Sequence, residues 1–212
     1  MTKPKQNLYG QEMGNKGSQT RAKILKATDT LIEKRSIREL KVSEIGALAG
    51  VSSSTFYLYF QTVSEAALAV ANEANQSSPE VMEVLAREWT RENVLDNSRE
   101  FVKIYFAYWA EHAAILRVRN FAADEGDRRF FDARRHSIEP IHFALQKKFT
   151  HFQSIDKVAP KLHPPSAASV LIATLERTAV VVLLPSVHKA TRPRQIEVVA
   201  FLLASSLVGH IE

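Results

Sequence analysis

The chain has no cysteine. That excludes disulfides and thiolate metal sites, and it fits a reducing compartment. Zinc-type spacing is missing too: His136 and His142 stand six apart, His151 and His163 fall in a loop segment, and no helical His pair has a carboxylate beside it. There is no glycine-rich phosphate loop, no serine elbow and no paired acid. No catalytic residue, metal ligand or cofactor is therefore assigned, and the chain is not read as an enzyme. The alternating pattern of a half-buried strand occurs nowhere, so the fold class is all-α. The opening MTKPKQNLYGQEMGNKG lacks an apolar core of signal-peptide length. The most apolar run, Val170 to Leu184, is interrupted by Glu176 and Arg177 and is too short to span a bilayer. The expectation is a soluble, cytoplasmic protein with no membrane partner.

What is present is an ordinary globular composition with uneven charge. Hydrophobic residues make up 45% and charged residues 24% of 212, enough for one large or two small cores. The net charge of +5 is concentrated at one end. Residues 1–60 hold ten Lys and Arg against five Asp and Glu, and the remainder is balanced. A polyanion partner for the first sixty residues is the natural reading; a solvated charged face is the plainer one.

Within that basic segment lies KVSEIGALAGVSSSTFYLYF, residues 41–60. Val42, Ile45, Leu48 and Ala49 recur at three- and four-residue spacing and are expected to share one inward face. Gly50 follows as the stop, because glycine enters the left-handed conformation without a Cβ clash. Val51 is expected in the angle between two helices. Ser52 is placed to cap the second helix, and Phe56 and Phe60 give that helix its apolar face. Helix, glycine turn and helix make the geometry of a DNA-reading helix-turn-helix. The same spacing also fits an ordinary helical hairpin in an all-α core.

The run from Val42 to Phe60 closely resembles the DNA-binding signature of the TetR family of bacterial repressors. Ile45, Ala49-Gly50-Val51-Ser52, Thr55-Phe56-Tyr57 and Tyr59-Phe60 carry the match. The chain departs from the family at three points. Gly46 stands where Ala is usual, Tyr59 where many members carry His, and Gln61, Thr62 and Val63 where a Lys is usual. The resemblance implies a ligand-responsive repressor with double-stranded operator DNA as partner, a homodimer, and a small, largely apolar effector. DNA contacts are expected from Ser53, Ser54, Thr55, Tyr57 and Tyr59, with Lys41, Ser43 and Ser52 on phosphates. The alternative is a helical DNA-binding adaptor controlled by a protein partner, without an effector pocket.

Read in order, residues 1–17 form a flexible basic arm, 18–65 the DNA-binding head, and 66–212 a ligand-binding and dimerisation domain. The first helix is expected from Ser18 or Thr20 to about Lys34, with Ile24, Ala27, Leu31 and Ile32 inward. Thr62 and Glu65 form a capping-box pair for a fourth helix. A break is expected at Gln76 to Pro79, then helices from Glu80, from Asp96 or Asn97, from Ala113 and from Arg128 to Phe149. Residues 151–165 read as a loop, followed by helices from Ser166 to Leu184 and from about Thr191 to His210. Trp89, Phe101, Tyr105, Tyr108, Trp109, Phe121 and Phe131 are the expected lining of a ligand cavity, with Glu176 as its polar point. Small residues in the last two helices fit close helix packing, which the resemblance assigns to a four-helix dimer interface.

Overall fold

Helix after helix follows from the spacing of apolar residues, and side-chain caps at Ser52 and Thr62 mark the starts of two of them. The computed structural model describes residues 6–75, 79–156, 159–184 and 191–209. The expected break at residues 76–78, the stop at Pro185 and the end at His210 lie outside them. Ten α-helices are described: α1 Asn15–Ile32, α2 Val42–Ala49, α3 Ser53–Tyr57, α4 Val63–Ala74, α5 Pro79–Ala86, α6 Val94–Glu111, α7 Ala113–Asp124, α8 Arg128–Ile155, α9 Pro164–Val182 and α10 Thr191–Val208. A 3-10 turn, Ile37–Glu39, joins α1 to α2. Among the described residues there is no strand, only an isolated bridge between Gln6 and Glu12.

Several boundaries differ from expectation, each for a local reason. α1 starts three residues before Ser18, whose N–H donates to the Gly14 carbonyl. Thr20 is inside the helix and bonds the Lys16 carbonyl. Residues 15–17 are thus helical rather than part of an arm. Residues 6–14 fold on the Asn7 side chain, which accepts from the N–H groups of Tyr9 and Gln11, and Leu8 N–H donates to the Leu58 carbonyl. α6 begins at Val94, ahead of both Asp96 and Asn97; Asn93 precedes it without a side-chain cap bond, its Oδ1 accepting the Thr90 N–H instead. Asn97 is buried inside the helix and donates to Asn93. Residues 151–155, expected as loop, extend α8.

The chain divides into two compact units. One holds residues 1–75 with 114–133, the other 76–113 with 134–212. The expected boundary at 65/66 falls inside α4, and the core of the first unit draws on distant sequence. Ile24, Ile45, Phe56, Phe60, Ala67 and Val70 cluster with Ile115, Ala123 and Phe130. α7 therefore completes the core of the head. Arg119 of α7 is only 2% exposed. Its guanidinium donates to Asn75 Oδ1 at 2.7 Å and to Asn120 Oδ1 at 3.0 Å, and Asn75 in turn donates to the Ala133 carbonyl. A buried cation must be held by oriented acceptors, so this network ties the end of α4 to α7 and the first turns of α8.

In the second unit α6 packs along α10 and also meets α5 and α9. Phe101, Val102, Tyr105, Phe106 and Trp109 of α6 are buried there. α9, Pro164–Val182, begins six residues before the expected apolar run and is long and apolar enough, with a mean hydropathy of 1.3, to cross a membrane by length and composition alone. Its Glu176 is buried and paired to Arg134 Nη2 at 2.6 Å within the same unit. That is the arrangement of a core helix carrying a satisfied charge.

Arg119→Met should remove the amide-held guanidinium, leave Asn75 short of a partner, and lower unfolding stability by about 3 kcal/mol, read by chemical denaturation of the full chain.

Candidate nucleic-acid interface

α2 and α3 are short, so their placement depends on the turn between them. Gly50 adopts φ 68°, ψ 37°, the left-handed conformation expected of it. Its N–H reaches back to the Ala47 carbonyl, and Val51 N–H donates to the Gly46 carbonyl at 2.9 Å. Gly46 matters more than its helix propensity suggests. A Cβ added there would lie 2.8 Å from the Val51 carbonyl oxygen. The turn closes directly over this position and leaves no room for a side chain unless that carbonyl moves.

Val42, Ile45 and Ala49 face inward as expected, but Leu48 is 52% exposed. An eight-residue helix sets its inward stripe by what it packs on, and α2 packs on α1 and α3. At its start Lys41 N–H donates to Glu44 Oε2, and Arg35 Nη2 donates to Glu44 Oε1 at 2.7 Å. The Arg35 hydrogen bond, then the Lys41 backbone bond, hold the Glu44 carboxyl below its ordinary range.

α3 is capped by Ser52, whose Oγ accepts the Thr55 N–H at 3.1 Å. The same oxygen lies 2.8 Å from Ser54 Oγ and 2.9 Å from Thr55 Oγ1. Phe56 is fully buried, with its ring 5.8 Å from Phe60 and 5.7 Å, edge-on, from Tyr57. This anchoring leaves Ser53, Ser54 and Tyr57 exposed on the outer face, with Leu58 beside them. Thr55 and Tyr59 are half-buried. Tyr59 packs on the head core, its hydroxyl near Gly17 of α1. Lys41 and Ser43 are exposed at the start of α2. Of the eight residues expected at DNA, then, six are exposed, at the start of α2 and along α3. Thr55 and Tyr59 are so only in part, and the Ser52 hydroxyl is engaged in the cap.

Lys16, Lys23, Lys26 and Lys34 are also exposed, whereas Arg21, Arg35 and Arg38 are spent on Glu73, Glu44 and Glu125. The fourth helix is capped as its sequence suggests: Glu65 N–H donates to Thr62 Oγ1. The reciprocal bond runs from Gln61 N–H to Glu65. This fixes the segment after α3, where no Lys is present.

The aromatic residues expected to line one cavity are distributed over both units. Phe121 and Phe131 belong to the first and are largely exposed, the latter beneath Arg128. Trp89, Phe101, Tyr105 and Trp109 are buried in the second, where Tyr108 also lies, at the half-exposed edge of α6. A cavity of about 570 Å³ in the second unit is lined by Met82, Leu85, Trp89, Pro140, Phe143 and Lys148, among others. Sequence reasoning did not anticipate the two lysines on the α8 side of it, Lys147 and Lys148. Lys147 lies over Phe143 and Lys148 over Trp89, and burial draws the Lys148 ammonium below its usual range. For Lys147 the available signal was Phe143 four residues before it; the Lys148–Trp89 contact is not local in sequence. Among the described residues no group of three or more His, Cys, Asp and Glu could hold a metal.

Comparison with known proteins covers both units. Residues 24–71 match the family model of bacterial regulatory proteins of the tetR family, and residues 81–199 match the tetracyclin repressor-like C-terminal domain. No curated protein matches the chain. Among solved structures it is similar to the fatty acid degradation regulator FadR from Bacillus halodurans, with TM-score 0.67 at 17% identity over 92% of this chain and 97% of that one. It is similar to a tetR-family transcriptional regulator from Streptomyces coelicolor, with TM-score 0.66 at 16% identity over 92% and 84%. A third is the transcriptional regulator FadR from Bacillus subtilis in complex with stearoyl-CoA, with TM-score 0.64 at 16% identity over 90% and 99%.

Two outcomes test the local geometry. Gly46→Ala should destabilise the head despite a helix-propensity gain of about 1 kcal/mol, because a backbone carbonyl must move; thermal denaturation reads the sign. Glu44→Gln should lower the melting midpoint at neutral pH. A carboxyl whose folded pKa is depressed stabilises above its unfolded pKa and loses that contribution as pH falls, so the two proteins should converge in acid.

Proposed function

From the premise that this chain belongs to the tetR family of bacterial regulatory proteins and is a DNA-binding transcriptional regulator, we propose that it is a homodimeric repressor released from its operator by a small, largely apolar effector. The observation carrying the proposal is the outer face of α3. Its backbone is held by Phe56 and the Ser52 cap, and its Ser53, Ser54 and Tyr57 side chains are left to solvent. A helix of that kind enters a major groove, and hydroxyl side chains reach both phosphates and base edges. Lys41 and Ser43 serve phosphates. Thr55 and Tyr59 shape the face from its edge, and Ser52 acts through the cap.

The dimer reading rests on α9 and α10. Val170, Val181, Val198, Phe201 and Leu202 are exposed on these packed helices. An apolar surface of that extent marks an interaction site, and a two-fold copy would set two α3 helices for successive half-sites. The effector reading rests on the 570 Å³ cavity with Trp89 and Phe143 in its lining. Its size and character suit a small apolar molecule, and the two lysines at it suit one with an anionic end. The same cavity argues against an adaptor with a filled core and a protein partner. Ligand action follows if the effector favours a dimer whose heads no longer match the operator spacing. A protein acting on chromosomal DNA in this way works in the cytoplasm.

Ser53→Ala with Tyr57→Ala should weaken operator binding at least tenfold while sedimentation still shows the dimer. The parent protein's affinity should fall steeply with salt as counterions are released. A mobility-shift titration on DNA selected from random sequence reads both. Unchanged affinity in the double variant, or a flat salt response, contradicts the reading.

A further inference from the structure

We propose that the first unit carries a second ligand site, separate from the cavity near Trp89, that takes a compact aromatic carboxylate. The site is a cleft of about 670 Å³. Its walls come from three places in the chain: Ser36 to Arg38 at the 3-10 turn, Val63 and Ser64 in the first turn of α4, and α7 with the start of α8. All of its lining residues belong to one compact unit.

The chemistry of the lining selects the ligand. Ile37, Val63, Val118, Ala122 and the buried Phe130 offer an apolar interior. The volume falls in the range of small-molecule sites and far exceeds what a lone inorganic anion needs. Along α7 the lining runs from Arg117 to the corner at Glu125, about 12 Å of helix rise. That suits a two-ring body better than an extended long acyl chain. Phe121, 55% exposed, supplies an aromatic face at the edge.

Charge decides the polar end. Asp127 is held by Arg129 through both carboxylate oxygens, which keeps its pKa low. Arg38 lies over Phe121 and pairs with Glu125. Both members of that pair are well exposed, so the bond between them is weak and exchangeable. Arg117 is exposed and has no hydrogen bond or ion pair among the described residues. With Asp127 and Glu125 both paired, the uncompensated charge at the cleft is a guanidinium. Guanidinium groups bind carboxylates through two parallel bonds. A ligand carboxylate would therefore meet Arg117, with Arg38 reachable by displacing Glu125.

Binding would wedge the 3-10 turn and the first turn of α4 from α7, beside the segment that follows α3. This goes beyond the proposed repressor function and does not depend on it, because the test reads ligand binding without DNA. The full chain is titrated with 2-naphthoate by calorimetry, alongside neutral 2-naphthamide. The expected result is saturable binding of 2-naphthoate, at least tenfold weaker binding of the amide, and at least tenfold weaker 2-naphthoate binding by Arg117→Gln. Ala122→Trp should abolish binding by filling the cleft. Arg117→Gln changes an exposed side chain, so it decides the matter even if Ala122→Trp does not fold. No saturation by about 1 mM, equal affinity in Arg117→Gln, equal affinity for the amide, or loss on Lys147→Gln in place of Arg117→Gln overturns the proposal.

Discussion

The burial of Phe56 is the interaction on which the DNA-facing end of this protein depends. A helix of five residues has no stability of its own, because nucleation costs more than so few hydrogen bonds return. α3 exists because one ring on it is fully enclosed by the core of its unit and because Ser52 closes its first turn. The reading face follows from that burial: whatever lies opposite Phe56 must point outward. Gly46 and Gly50 make the arrangement possible from the other side. One leaves room for the Val51 carbonyl, and the other supplies the left-handed step.

A short recognition helix needs a stiff mount, and the mount is not local in sequence. Ile115, Ala123 and Phe130 close the same core that Phe56 enters, and the buried Arg119 ties α7 to Asn75 at the end of α4. α7 is therefore as much a part of the head as α4 is. The 670 Å³ cleft lies between these layers.

Much of this was legible in the sequence, for reasons that differ by element. The glycine stop, the Ser52 cap and the Thr62–Glu65 pair are short-range chemistry, and each stands where spacing put it. Leu48 was not legible. In eight residues a three- or four-residue period admits two stripes, and only the helices packed on α2 choose between them. The start of α6 precedes both Asp96 and Asn97, and Asn93 before it makes no capping bond, so no cap chemistry marked it in the sequence. The aromatic set could be recognised as buried or adhesive but not partitioned. Nothing local tells Phe121 and Phe131 that they belong with the head while Phe101 and Tyr105 belong elsewhere. The Arg134 partner of Glu176 is 42 residues away and invisible to periodicity.

The three hydroxyls at the start of α3 have a directional property that distances alone do not display. Ser52 Oγ accepts the Thr55 N–H and lies within bonding range of both Ser54 Oγ and Thr55 Oγ1. Each oxygen carries a single proton free to rotate, so the group has more than one circulation of donors. If Ser54 turns its proton outward to an anionic oxygen, Ser52 can answer by donating to Ser54, which polarises the bond it accepts from the backbone. Gripping a phosphate would then tighten the very turn that presents the grip, while an apolar neighbour would leave the circulation undecided.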